Sequence, residues 1–218
     1  MDLANDMSAL LIRNQLVQDS LHPFVASFRG SGILDEVSYH VMVESAEPDS
    51  TCWTAATSIA KSLTGKGFVS LTSALDKALR DCHADLVTIN KTSDPASRIG
   101  VSATCLAFRG TDLYLSRAGD SLLYMKDSKG TRQLLPGDDF GPKFGLGVDG
   151  SDPAITMERH ILIGQETFLI CSNSLKQVVS HDGIDAILSA APNESMNKLG
   201  LIMDSSPFFV AMLTTTRR

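Results

Sequence analysis

The chain has 218 residues, 43% apolar and 20% charged, with a formal net charge of −6. That is enough for one domain with a sizeable core, read here as a single domain over residues 1–218. No basic run exceeds Arg217-Arg218 and no apolar stretch reaches the ~18 residues that span a bilayer, which argues against nucleic-acid and membrane partners.

The start of the chain, through Met1-Asp2-Leu3, is acidic before a short apolar run and lacks the basic region of a secretory leader. The N-terminal third mixes short extended runs with loops. Tyr39 to Val43 is a buried-strand pattern, followed by a polar turn from Glu44 to Ser50. Thr54 to Leu63 reads as a helix, with Ala55, Ile59 and Leu63 four apart. A second helix is predicted over Ser70 to Ile89, with Leu71, Ala74, Leu75, Ala78, Leu79 and Leu86 on one stripe. Asn90 to Gly100 is a polar loop. Strands are then expected at Val101–Phe108 and Leu113–Ala118, joined by a turn bending at Gly110. Leu122–Lys126 and Thr131–Leu135 form a second hairpin, with strands following at Ala154–Leu162 and Thr167–Cys171. Helices are expected at Ser174–Val179, Ile184–Ala190 and Glu194–Met203, before a last apolar run from Phe208 to Leu213. Helices and strands are therefore segregated. The pattern predicts an α+β fold, a four-layer α-β-β-α sandwich of two antiparallel sheets flanked by helices.

Cys52, Cys82, Cys105 and Cys171 form no CxxC pair and have no histidine at a zinc-ligand spacing. They read as reduced, buried thiols of a cytoplasmic protein. No cysteine opens a C-x5-R phosphate loop, no serine sits in a G-x-S-x-G elbow, and no Walker loop is present.

Between residues 100 and 180 a series of motifs appears in order. Ser102 to Ala107 followed by Leu115-Ser116-Arg117-Ala118-Gly119-Asp120-Ser121 resembles the "G-x-T-A" strand and "A-x-x-G-D-S" turn of the type-2C, metal-dependent Ser/Thr phosphatases. Leu122 to Leu135 is similar to their next hairpin, and Phe144-Gly145-Leu146-Gly147 to their "A-L-G". Ile163 to Leu175 is similar to their "G-D-x-L-L-L-C-S-D-G-L". Such enzymes use two divalent ions, Mg²⁺ or Mn²⁺, held by carboxylates. The ions activate a bridging water and neutralise phosphoryl oxygens.

The resemblance places the family's metal-binding aspartates at Ser45, or Glu44 one residue earlier, at Asn173, and at Ser206, with Asp204 two residues away. Asp-Gly is missing from the first loop, and Pro48 alters its shape. Asp19 and Asp120 match retained metal positions. Arg13 lies one residue from the phosphate-binding arginine's place at Asn14. Asp19 also reads as an ordinary strand-end residue, Asp120 as an Asx-turn residue, and Glu44, Glu47 and Asp49 as a solvated acidic loop. The resemblance then implies a pseudophosphatase, with no cofactor expected, that acts by binding a protein partner: a kinase, a phosphoprotein or a phosphatase target. Two alternatives stand beside it. One is an active Mn²⁺- or Mg²⁺-dependent phosphatase with rearranged ligands (Asp19, Glu44, Asp120, Asp204). The other is a structural subunit of a larger assembly.

Overall fold

A computed structural model describes residues 3–13, 16–18, 25–29, 37–45, 49–64, 69–135, 145–148, 152–201 and 208–217. Its elements run, in chain order, β1 (Leu3–Arg13), β2 (Leu16–Gln18), β3 (Val25–Arg29), β4 (Ser38–Ser45), α1 (Asp49–Leu63), α2 (Leu71–Lys91), β5 (Val101–Arg109), β6 (Asp112–Ala118), β7 (Leu122–Asp127), β8 (Gly130–Leu134), β9 (Thr156–Ile161), β10 (Thr167–Cys171), α3 (Leu175–Val178), α4 (His181–Ser189), α5 (Pro192–Gly200) and β11 (Phe208–Arg217). A short 3-10 turn at Pro95–Ser97 follows α2. The chain divides into two compact units, each built on one antiparallel sheet.

One unit takes in Met1–Leu21, Ser121–Gly137 and Leu162–Arg218, with strand order β2-β1-β11-β10-β7-β8. Period-two alternation puts Leu122, Tyr124, Leu169, Cys171, Val210 and Met212 on one sheet face. They form a core with Leu175 of α3, Ile184, Ile187 and Leu188 of α4, and Leu199 of α5. Each such side chain contributes about 1.5–3 kcal/mol on leaving water. Ser180 caps α4 by accepting the Gly183 N–H at 3.2 Å. The turn before β10 is closed by Glu166. Its buried carboxylate accepts N–H groups from Ile163, Gly164 and Gln165, and the Thr215 hydroxyl donates to it at 2.6 Å.

The other unit takes in His22–Asp120 and Asp138–Ile161, with strand order β3-β4-β5-β6-β9. Helix α1 packs on β4, and α2 packs on α1, β5 and β6. Ser58 and Ser62 of α1 donate to Asp85 and Asp81 of α2 at 2.7 and 2.8 Å. Ser70 caps α2 in a reciprocal box with Ser73. At the other end of α2, the buried Asn90 side chain donates to the carbonyls of Ile99 and Gly147, both at 2.7 Å, and accepts the Ile99 N–H at 2.8 Å. His83 Nδ1 accepts the Gly147 N–H at 3.2 Å. Two side chains two helical turns apart thus hold these loops against α2.

The expected α+β class with two antiparallel sheets and attached helices is what the chain adopts. Several boundaries differ from the sequence reading. Asp49 and Ser50 open α1 instead of closing a polar turn. Glu44 and Ser45 end β4, because β5 pairs with them as far as Val101. Asn90 is inside α2, buried by its hydrogen bonds to two loops. β1 is one strand of 11 residues, aligned from Leu3 against Arg217 to Ile12 against Phe208. The four cysteines are free and buried, and among the described residues no helix is long and apolar enough to cross a membrane.

Candidate functional site

Three strand ends meet at one end of the five-stranded sheet: the close of β4, the start of β5 and the close of β6. Ser45 pairs with Val101, Glu44 with Ser102, and Ala103 with Ala118, after which Gly119 and Asp120 form the bend. Gly119 has φ +100, and a Cβ there would lie 2.5 Å from the Ser102 oxygen, so only glycine fits this bend. Gly145 lies directly against it, since an added Cβ would come 2.3 Å from the Gly119 nitrogen. The strip Gly145–Leu146 reaches this place by pairing with Val101, whose N–H donates to Leu146 and whose carbonyl accepts from Gly145 and Leu146.

Ser45, on the first predicted metal position, is buried, and its hydroxyl donates to the Gly100 carbonyl at 2.9 Å. A hydroxyl that donates into the protein is a neutral structural group. Glu44, one residue earlier, is half-buried and on the opposite sheet face, since successive strand residues alternate. Asp120 is half-buried in the bend after β6. The structure therefore brings Glu44, Ser45 and Asp120 to one end of this sheet.

Arg117 lies on the same sheet face as Glu44, and the sequence reading assigned it no role. It is 4% exposed. Thr104 is directly opposite on β5 and Thr156 directly opposite on β9. Ser102 and Glu158 are its diagonal neighbours. Burial pulls the guanidinium below its ordinary pKa, while the charges of Asp120 and Glu158 pull it back up. Leu113, Leu115 and Arg117 follow one another at period two. A cation at the third place of an otherwise buried apolar face was the available signal.

In the six-stranded unit, Asn173 follows β10 as the first residue of the turn into α3. Its side chain is exposed, and its carbonyl accepts the Lys176 N–H at 3.2 Å. Arg13 ends β1 and pairs with Leu16 across the β1–β2 hairpin, and its side chain lies outside the described residues. Asp19, Ser206 and Asp204 also lie outside them, as does Glu47. His40 is on β4, packed edge-on to Phe108 with centroids 5.7 Å apart, and burial holds its pKa down to about 4. It is a neutral core residue.

No protein-family model matches the sequence, and no curated protein matches it. Solved structures do match. The serine/threonine phosphatase of S. agalactiae aligns with a TM-score of 0.74 at 14% identity, covering 97% of this chain and 99% of that one. The fold is that of the type-2C phosphatases. The catalytic domain of the phosphatase PstP, solved with two manganese ions, aligns with a TM-score of 0.72 at 17% identity over 99% of this chain and 100% of that chain. PppA, a regulatory component of the type VI secretion system in Pseudomonas aeruginosa, gives 0.71 at 15% identity, covering 99% and 98%.

PstP holds manganese, so the type-2C fold raises the question of a metal here. Hard divalent ions need several oxygen donors, carboxylates foremost. Among the described residues no three His, Cys, Asp or Glu side chains gather to hold an ion. Of the matched aspartate positions that are described, one is a serine committed to a backbone carbonyl, one is a neutral exposed asparagine, and one is Asp120 near a buried arginine. These residues do not fit a two-ion centre.

Proposed function

We propose that this protein is a pseudophosphatase: a type-2C domain that works by binding a protein partner rather than by hydrolysing phosphate esters. The observation that carries the reading is Ser45. Its position is matched to a metal-binding aspartate, and its hydroxyl is instead turned into a hydrogen bond with Gly100. Asn173 supports it as a second neutral replacement. With the anionic ligands gone, the site no longer needs an ion to relieve repulsion between carboxylates.

A kinase, a phosphoprotein or the target of an active phosphatase is the class of partner such a scaffold suits, in the cytoplasm, where four free buried thiols stay reduced. The test is hydrolysis of para-nitrophenyl phosphate by the purified protein across a Mn²⁺ titration, beside an Asp19→Ala/Asp120→Ala control. Flat, metal-independent background supports the reading. Turnover that rises with Mn²⁺ and disappears in the control sinks it, and establishes instead a phosphatase with rebuilt ligands.

A further inference from the structure

We propose that His83 is a pH-operated latch: its neutral ring holds residues 145–148 against the bend that leads into Asp120, and protonation releases them. The inference goes beyond the pseudophosphatase reading and does not depend on it, since the same latch would act on an active enzyme.

The latch is built on one face of α2. His83, Leu86 and Asn90 stand at i, i+3 and i+7, which a helix of 3.6 residues per turn brings into one stripe. Gly147 lies across that stripe. Its carbonyl accepts from Asn90 Nδ2 at 2.7 Å, and its N–H donates to His83 Nδ1 at 3.2 Å. A Cβ on Gly147 would come 3.0 Å from the Leu86 Cβ, so the backbone rests directly on the helix. Both polar groups of one residue are thus held by two side chains of the same helix, and only one of those side chains titrates.

An N–H that donates to Nδ1 requires a lone pair there, so the neutral ring carries its proton on Nε2. Protonation turns Nδ1 into a donor. Two N–H groups then face each other at a residue only 8% exposed, where an unmade hydrogen bond is costly. Asn90 keeps the carbonyl, so the N–H side of Gly147 is released, the side that leads back to Leu146 and Gly145. Those two residues pair with Val101, and Gly145 abuts the Gly119 nitrogen. A continuous line of backbone contacts therefore joins His83 to the bend before Asp120.

The carboxylates around α2 are engaged elsewhere. Arg80, one turn before His83, is bonded to Asp76 at 2.9 Å and lies 3.5 Å from Asp152. Asp81 and Asp85 turn to α1, accepting from Ser62 and Ser58. On the sheet face that Cys105 shares with Arg109, Asp112 and Tyr114, Asp112 is held by Arg159 at 2.8 Å. Burial pushes the Cys105 thiol up to about 12, so it carries no charge, and α1 adds the buried Cys52.

The test is nuclear magnetic resonance of the full chain from about pH 8 to about pH 5, the range in which histidines change charge. The ring nitrogens report the tautomer and charge of His83. Hydrogen-exchange protection factors report Gly147, and amide shifts report Gly119 and Asp120. Neutral His83 is expected to carry its proton on Nε2. As it charges, protection at Gly147 falls about tenfold per pH unit, the limit for one proton, and the bend shifts with the same midpoint. Burial holds His40 down to about 4, so it stays neutral throughout. The Gly164 amide, bonded to Glu166 in the other unit, keeps its protection. In His83→Asn the side-chain oxygen accepts without titrating, so Gly147 stays protected across the range. A neutral ring protonated on Nδ1, constant protection at Gly147, or a bend that ignores the His83 titration overturns the proposal. Equal loss at Gly164 does so too, because it signals general unfolding, as does a His83→Asn chain that still opens in acid. Should that variant fail to fold, the wild-type midpoints decide: the His83 ring and Gly147 must share one, and separate midpoints refute the latch.

Discussion

Placing an aspartate at position 45 should harm the protein. In Ser45→Asp, a carboxylate enters a buried place whose nearest acceptor, the Gly100 carbonyl, lies 2.9 Å from the present hydroxyl oxygen. The lost hydrogen bond is worth about 1 kcal/mol net, and the carbonyl left unsatisfied adds about 1–3 kcal/mol. Carboxylate oxygens facing a carbonyl oxygen repel, and desolvating the charge brings the expected loss at neutral pH to about 3–5 kcal/mol. The sign with pH follows from linkage. Burial raises the folded-state pKa of the new Asp above its unfolded value of about 3.9, so the extra penalty is absent below that value and grows as pH rises toward the folded pKa. Ser45→Ala loses only the hydroxyl's contribution, about 1–3 kcal/mol, with no pH dependence of its own. Urea denaturation of wild type, Ser45→Ala and Ser45→Asp from acid to neutral pH, each with and without Mn²⁺, measures this. A Ser45→Asp protein as stable as wild type at neutral pH would refute the reasoning. Restoration by Mn²⁺ would do so more sharply, because it would mean that a carboxylate here still finds an ion.

Glu166 gives the opposite pH signature. Burial pushes its carboxyl up, but the Thr215 hydroxyl and the amides of Ile163, Gly164 and Gln165 outweigh it and hold the pKa below the usual range. Its contribution is therefore complete above the unfolded value of about 4.3 and is lost as pH falls through the folded one. Glu166→Gln should lower stability by about 2 kcal/mol at neutral pH and flatten the acid-side decline, as read by denaturation at both ends of the range. Asn90→Ala removes three hydrogen bonds between α2 and two loops, for a loss of about 2–4 kcal/mol. Hydrogen exchange at the Ile99 amide should accelerate with it. Gly147→Ala places a Cβ 2.7 Å from the Ile99 oxygen at φ +80 and should cost at least about 1–2 kcal/mol of stability, measurable by thermal melting.

What the sequence made legible follows from how local each signal is. The stripe on α2 and the hairpin β5–β6 carry their own periodicity, and both appear within one or two residues of the reading. Helix α4 begins at His181 rather than Ile184, and Ser180 with Gly183 three residues on was the available cap signal. β1 was illegible because Asn5, Asp6 and Ser8 break any alternation. Its length comes from pairing with β11 at the far end of the chain. Asn90 reads as loop by composition and is helix because two loops satisfy its side chain, a long-range fact with no local trace.

The site divides along the same line. Motif order singles out Ser45, Asn173 and Asp120 as the positions that resemble the family's ligand positions, because turns and strand ends carry recognisable spacing. It does not say what each residue does there. Ser45 was placed in a polar turn, where a neutral hydroxyl points to water and leaves the region open. On β4 it is buried, and its hydroxyl donates to the Gly100 carbonyl. Under the proposed reading, a scaffold that had merely lost ligands would leave position 45 facing an open region, whereas the Ser45 hydroxyl is held by the Gly100 carbonyl at 2.9 Å.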